Sequence, residues 1–551
     1  MKNNFNIITG AIAGFLLIIY FSLVYSFTVN IPIIDDYYAI QDFLLNYIQA
    51  DSFKEKLCLL LSQFGEHRIL FARLTTLIVY AFSDNISYSI LIFIGNILML
   101  CIGFIMYKTS AKKDFIGAYI LLIILIFFNG QNFETSTWAM VSIANVGVLF
   151  AAMASIFCML NTNRKLQYCG LLLSILTIFS NGNGMFIIPP IAIGLFLQRR
   201  KKIFITFICI ALISVFLYFY SYTATSRINF EFIYLIKKVH ILFYYTCIFT
   251  GLNFWVPSYQ LFSFFVGLFC ISTYMYGIWK KWYKQDLLIY AFLTFYFLSA
   301  AAVALLWLNN GIDGALRYRV YCSPIIILTL FLIINNIIKI NYRYIYALLS
   351  FFVLFSLSST FIYAHKEQKR FEWKKKSAYN WHHKGTGLAT FAAHSEDDFL
   401  REAEKAGIYR MPKYSLSEYA SSISNDERST FNETKEITYK IENLSDSGDF
   451  IIIEGWGFLN DKPMNFKNIF VRLTNNEHSF IACTYNERRY DLNIDVPLDR
   501  IENCGFFAVI DKNLIPPGTY QISIIIRSVF GYGNYYIRKT EENITIHKPI
   551  R

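Results

Sequence analysis

The chain is dominated by apolar runs long enough to cross a lipid bilayer. Stretches of about 18 or more residues with almost no charge recur up to about residue 364, and that length marks a membrane-spanning helix rather than a buried soluble one. Of the 551 residues 55% are hydrophobic and 16% charged, a balance that excludes an ordinary soluble protein of this size. The first run, residues 7–29, has Lys2 before it and no small-residue cleavage site after it. It is also too long for a signal-peptide core, so it reads as a retained anchor.

The spacing predicts 11 spans: 7–29, 86–107, 114–128, 138–160, 165–180, 184–198, 203–222, 259–279, 286–308, 322–340 and 343–364. Cationic clusters supply the orientation. Lys108, Lys112 and Lys113, then Arg164 and Lys165, Arg199 to Lys202, Lys280, Lys281 and Lys284, and Arg343 all fall on one side. By the positive-inside rule that side is cytoplasmic, as is the N-terminus. Two further apolar stretches, 69–82 with Arg73 and 231–254 with Lys237, Lys238 and His240, are expected to lie at the outer interface.

The net charge of +12 resides in these clusters, with no basic stripe interleaved with aromatics in a soluble segment. Nucleic acid is therefore not expected as a partner. The 10 cysteines include no CxxC pair, which argues against structural zinc. Cys483 and Cys504 lie beyond the apolar region and are able to pair if that region is exported.

The loops on the opposite side concentrate polar groups. They carry Asp35-Asp36, Glu66-His67-Arg68, the segment Asn129 to Glu134 with Asn132, the segment Ser180 to Gly184 with Asn181 and Asn183, and Arg317 with Arg319. A transporter spreads polar groups toward the midplane, whereas these span interiors are nearly uncharged. A surface carboxylate can deprotonate a sugar hydroxyl as it attacks an activated anomeric carbon, and inversion requires a base on the attacking face. Asp35 and Asp36 are the candidates for that role; as plain structure, an acidic pair here is a solvated helix end. Arginine binds phosphate oxygens bidentately, so Arg68, Arg317 and Arg319 are candidate phosphate ligands; as plain structure they anchor at an interface. His67 can donate to phosphate or move a proton. Asn132, Glu134, Asn181 and Asn183 can bond sugar hydroxyls, although Asn and Gly also build tight turns. Asp35, Asp36 and Glu134 offer oxygens to a divalent cation, but arginines alone can neutralise the leaving phosphate, so no cofactor is expected. Walker A, G-x-S-x-G and H-E-x-x-H sequences are missing; Gly182 and Gly184 make no dinucleotide fingerprint and no soluble βαβ unit surrounds them, so a cytoplasmic nucleotide-sugar enzyme is not expected.

Composition changes near Ala364. His365 to Lys376 is strongly basic, 396–407 reads as a short helix and 413–433 as a polar linker. Short β-rich runs then follow between turn signals such as Pro516-Pro517-Gly518, the pattern of a small antiparallel sandwich. The expected organisation is a membrane domain over 1–364, a juxtamembrane segment over 365–433 and an extracytoplasmic β-sandwich-like domain over 434–551.

The acidic pair after the first span, with Glu66-His67-Arg68 and Ala72-Arg73-Leu74, resembles the GT-C class of polytopic membrane glycosyltransferases. Within it the chain looks most like the bacterial and phage Gtr-type O-antigen glucosyltransferases. The resemblance implies a multi-pass enzyme of the bacterial inner membrane with its C-terminal domain outside. It further implies a polyprenyl-phosphate donor carrying a hexose such as glucose, and an extracytoplasmic glycan acceptor such as O-antigen. Asp35 or Asp36 would then be the base, and Arg68, Arg317 and Arg319 would hold the leaving phosphate. The tail around Glu454-Gly455-Trp456 has no counterpart in that class. The competing readings are a flippase or exporter of lipid-linked glycan, an O-antigen polymerase and a membrane acyltransferase.

Overall fold

The computed structural model describes residues 2–110, 115–223, 238–254, 260–310, 315–337, 342–385, 388, 393–425, 434–464, 467–489, 492, 503–528 and 535–547. The chain divides into two compact units: Met1–Thr28, Asp35–Ala364 and Lys405–Tyr409 in the first, and Val29–Ile34, His365–Glu404 and Arg410–Arg551 in the second.

The first unit is helical. Among the described residues eight helices are long and apolar enough to cross a membrane, or nine if a bent pair counts as one. The pair is Ile116–Phe127 with Gly130–Thr137, bent by 46°. The break exposes carbonyls that two amides cover: Asn129 Nδ2 donates to Leu125 O at 2.8 Å and Asn132 Nδ2 to Phe127 O at 2.9 Å. Every expected span contains a helix, but two of the helices are short. The stretches 165–180 and 184–198 form Arg164–Ile178 and Ile188–Leu197, of 15 and 10 residues. Both are tied just past the end of the long helix Ala139–Met159: Gln167 Nε2 donates to Asn161 O at 2.8 Å from the first, and beyond the second Gln198 Nε2 donates to Leu160 O at 3.0 Å and Arg200 to Asn161 O.

Ala139–Met159 is the most enclosed of the eight, with 83% of its apolar window buried. Small residues bring helices together. A Cβ on Gly95 would lie 2.5 Å from the Ser142 Cβ of that helix, and between Gln260–Trp279 and Val239–Thr250 one on Gly267 would lie 1.9 Å from the Cys247 carbonyl oxygen. Such close approach is how apolar helices associate when burial of apolar surface gives little drive. The 69–82 stretch forms Leu70–Ser83, whose Ala72, Arg73, Thr76 and Val79 are buried. Within 231–254, Val239–Thr250 is helical and its last four residues are buried; Lys237 lies outside the described residues.

The helix Tyr342–Lys384 runs for 43 residues, about 65 Å at the usual rise, and its composition changes at the unit boundary. Its second half belongs to the second unit, where the basic segment His365 to Lys376 is packed. Lys374, Lys375 and Lys376 are buried. Glu454 pairs with Lys376 and, at 3.2 Å, with Lys384, and Lys375 Nζ donates to Glu418 O at 3.1 Å. The helix Ala393–Lys405 follows.

The rest of the second unit is two antiparallel sheets. One has the order β11 (Tyr536–Ile546), β10 (Gly518–Ser528), β6 (Lys467–Thr474), β7 (Ser479–Cys483) and β3 (Ile423–Asn425). The other has β4 (Ile437–Ser447), β5 (Phe450–Leu459), β9 (Gly505–Asp511) and β8 (Tyr485–Glu487). Alternate residues of both sheets, including Ile451 and Ile453, Val471 and Leu473, and Ile522, Ile524 and Ile526, form one core. The sandwich reading therefore holds. One correction is that β3 lies inside the expected 413–433 linker. Another concerns the cysteines: Cys483 and Cys504 are both free, the first exposed on β7 and the second sealed in the core.

Candidate active site

The chain leaves its first helix at Phe27 and reaches Ile34 with φ 50°. That left-handed conformation is strained for a β-branched residue, at about 1–3 kcal/mol. It immediately precedes Asp35 and Asp36. The next six residues, Tyr37–Asp42, form a π-helix whose Tyr37, Ala39, Ile40 and Gln41 are buried. Backbone irregularities of both kinds gather at functional sites.

The two aspartates separate. Asp36 is 1% exposed, and its Oδ1 accepts from the Met140 backbone N–H at 2.8 Å. That N–H belongs to the first turn of Ala139–Met159, where unsatisfied donors and the helix dipole favour an anion. Asp36 is thus an anchor. Asp35 is half-buried, and its Oδ2 lies 3.9 Å from Arg317 Nη1. Burial raises its carboxyl above the ordinary aspartate range, and Arg317 partly offsets this.

Arg317 ends a short 3₁₀ turn, Ala315–Tyr318, and its guanidinium lies over the Tyr318 ring, 5.3 Å from the centroid. Burial disfavours its charge, but Tyr318, Asp35 and Glu134 together outweigh that and strengthen its hold on the proton. Glu134 is on the short helix Phe133–Thr137 beyond the bend.

His67 comes from a two-stranded hairpin, β1 (Gln63–Phe64) and β2 (His67–Arg68), turned by Gly65 at φ 54°. Burial lowers the His67 pKa, Glu66 opposes this through its charge and its carbonyl, and Arg317 reinforces it. The ring is therefore neutral at pH 7. Gly182 abuts it: a Cβ there would lie 3.0 Å from His67 Nδ1. Next door, Asn183 Nδ2 reaches Ser299 Oγ at 3.4 Å. His67 Nδ1 and Asn183 Oδ1 are both buried without a hydrogen-bond partner. Unmatched buried polar atoms are costly, and two of them flank Gly182.

Asp35, Glu134, His67 and Arg317 thus come from four separate segments into one electrostatic neighbourhood, with Asn183 beside His67. Other expected site residues are committed elsewhere. Arg68 donates through Nε to Tyr218 O at 2.9 Å, through Nη2 to Tyr220 O at 2.8 Å and through Nη1 to Leu61 O. It ties three carbonyls rather than offering a phosphate fork. Arg319 is 1% exposed and turns to the Tyr363 hydroxyl and ring. Asn132 patches the helix break. Asn181 contributes its carbonyl, which accepts from Gly184 N at 2.9 Å. Glu66 is half-buried, and its carbonyl accepts from the Tyr222 hydroxyl at 3.2 Å. Ser299 was missed, since a serine inside an apolar run carries no signal of its own. Among the described residues no three His, Cys, Asp or Glu side chains are grouped to hold a metal ion. Comparison of the chain with protein-family models, curated proteins and solved structures finds no match.

Proposed function

We infer that the protein is a polytopic membrane glycosyltransferase of the GT-C kind, which moves a hexose from a polyprenyl-phosphate carrier to a glycan acceptor outside the cytoplasm. The observation that carries this reading is the Asp35–Arg317 pair, a half-exposed carboxylate facing a half-exposed guanidinium beside a neutral His67. A base for a hydroxyl and a ligand for a phosphate are the two groups such a transfer requires.

In this reading Asp35 takes the proton as the acceptor oxygen bonds to the anomeric carbon. The bond from that carbon to the phosphate oxygen breaks with inversion, and polyprenyl phosphate leaves against Arg317. His67 Nδ1 and Asn183 Oδ1 accept from hydroxyls of the sugar. Glu134 holds Arg317 in place. The arrangement has 11 spans, two of them the short helices described above, with the N-terminus cytoplasmic and the sandwich outside. It extends the eight helices of sufficient length.

The test is release of free polyprenyl phosphate from a polyprenyl-phosphate hexose by purified protein in detergent, with and without glycan acceptor. Acceptor-dependent release is expected. Carriage of the intact lipid across vesicles without any release would replace this reading with a flippase.

A further inference from the structure

The Asp35–Arg317 contact is loose. At 3.9 Å it involves one guanidinium nitrogen, and the two side chains are 39% and 38% exposed. An ion pair this open is worth little. A phosphate offers the same guanidinium a planar, two-point grip that a carboxylate at this distance does not use. Moving Arg317 does not strand it, because Glu134 and Tyr318 also favour its charge. Moving it does change Asp35, whose carboxylate Arg317 favours against the effect of burial.

We propose that Arg317 is exchanged between two anions: it holds Asp35 in the empty protein and leaves it for the phosphate of the lipid carrier, so that the carboxylate becomes a free base only when a phosphate is bound. This rests on the transferase reading and adds an order of events to it. The empty site is held with its base occupied, which discourages idle proton traffic. Once the phosphate has drawn Arg317 away, Asp35 loses the influence that keeps its proton affinity down, and the phosphate's own negative charge raises that affinity further. The other groups that face this neighbourhood are Glu66 and His67 on the hairpin and Glu134 beyond the bend, and all three are present in both proteins compared below.

The experiment is proton exchange on binding. A short-chain prenyl monophosphate is titrated into lightly buffered, detergent-solubilised full-length protein, and proton uptake or release is read across the acid range. The phosphate changes its own protonation on binding, so the quantity compared is wild type minus Asp35→Asn. The expected difference is an extra uptake approaching one proton per bound phosphate at pH values where the freed carboxyl is protonated. It shrinks in Arg317→Ala, where Asp35 is already free and only the phosphate's own charge acts on it, and it disappears with the matching prenyl alcohol, which has no phosphate. Equal exchange by wild type and Asp35→Asn with the phosphate bound overturns the exchange while leaving glycosyl transfer standing. Failure of wild type to bind the phosphate at all overturns both.

Discussion

Asp36 Oδ1 sits 2.8 Å from the backbone nitrogen of Met140, while its neighbour Asp35 faces Arg317 across 3.9 Å. One peptide unit therefore separates a carboxylate bonded to the backbone from a half-exposed one that faces a cation, the proposed base. Asp35→Asn is expected to lower turnover by about 10²–10⁴, the usual scale of a general base, and to leave thermal stability unchanged. Asp36→Ala is expected to cost about 1.5–3 kcal/mol of stability, because it strands a buried N–H that bonded to a charged group. Melting curves and donor turnover on the same preparations separate the two. Full turnover in Asp35→Asn would remove the base from this position.

The arginines should divide in the same way. Removing Arg317 is expected to cost about 1.5–3 kcal/mol of transition-state stabilisation, with incomplete rescue by lysine, which lacks the fork. Arg68→Ala should instead lower stability and expression, since three carbonyls lose their donor. Measured at matched expression, wild-type turnover in Arg317→Lys would reduce that residue to an interfacial anchor.

The pH profile carries a sign. Burial raises the Asp35 pKa and Arg317 offsets it. A required carboxylate loses activity as pH falls through its own pKa, so the acid limb of kcat/KM should lie above the ordinary aspartate value. Arg317→Ala removes the lowering influence, and its residual activity should show an acid limb moved further up. An acid limb that moves down in that variant would contradict the pairing.

Gly182 and Asn183 test the sugar contacts. Gly182→Ala places a methyl 3.0 Å from His67 Nδ1 and should raise KM for the sugar donor. Asn183→Ala removes an unmatched buried acceptor together with a long bond to Ser299, so the two effects should largely cancel in the empty protein, yet it should slow transfer by about tenfold, the value of one hydrogen bond. Loss of stability without loss of turnover would make Asn183 a packing residue.

Ile34 offers a stability–activity trade. Glycine adopts φ 50° without strain, so Ile34→Gly is expected to keep or gain stability while turnover falls, because the turn that aims Asp35 is loosened. Equal turnover would show that the strain has no part in positioning the carboxylate.

The sequence made much of this legible. Long apolar runs announced the helices, and alternation announced strands such as β10, because both periods are local properties. The Asp35-Asp36 pair stood out as a centre, but its division of labour depends on an N–H of Met140, far away in the chain. Arg68 and Arg319 looked like Arg317 in sequence because exposure, not residue type, distinguishes them. Cys483 and Cys504 were compatible with a bridge only as long as the side of the sheet each occupies was unknown.

The short helices have a consequence for depth. Arg164–Ile178 has 15 residues and Ala139–Met159 has 21, lengths of about 22 and 31 Å. Their lower ends are fastened together at Asn161, whose carbonyl accepts from Gln167 Nε2 at 2.8 Å. Upright in a bilayer, the turn bearing Gly182 and Asn183 would lie about 9 Å below the head of the longer helix. If the proposed transfer holds, a sugar that reaches it would leave the aqueous headgroup layer and shed water from its hydroxyls. Acceptors at that depth meet few competing solvent molecules, so each bond they form discriminates more sharply between sugars than the same bond at an open surface. Sugar selectivity should then respond to the thickness of the surrounding membrane.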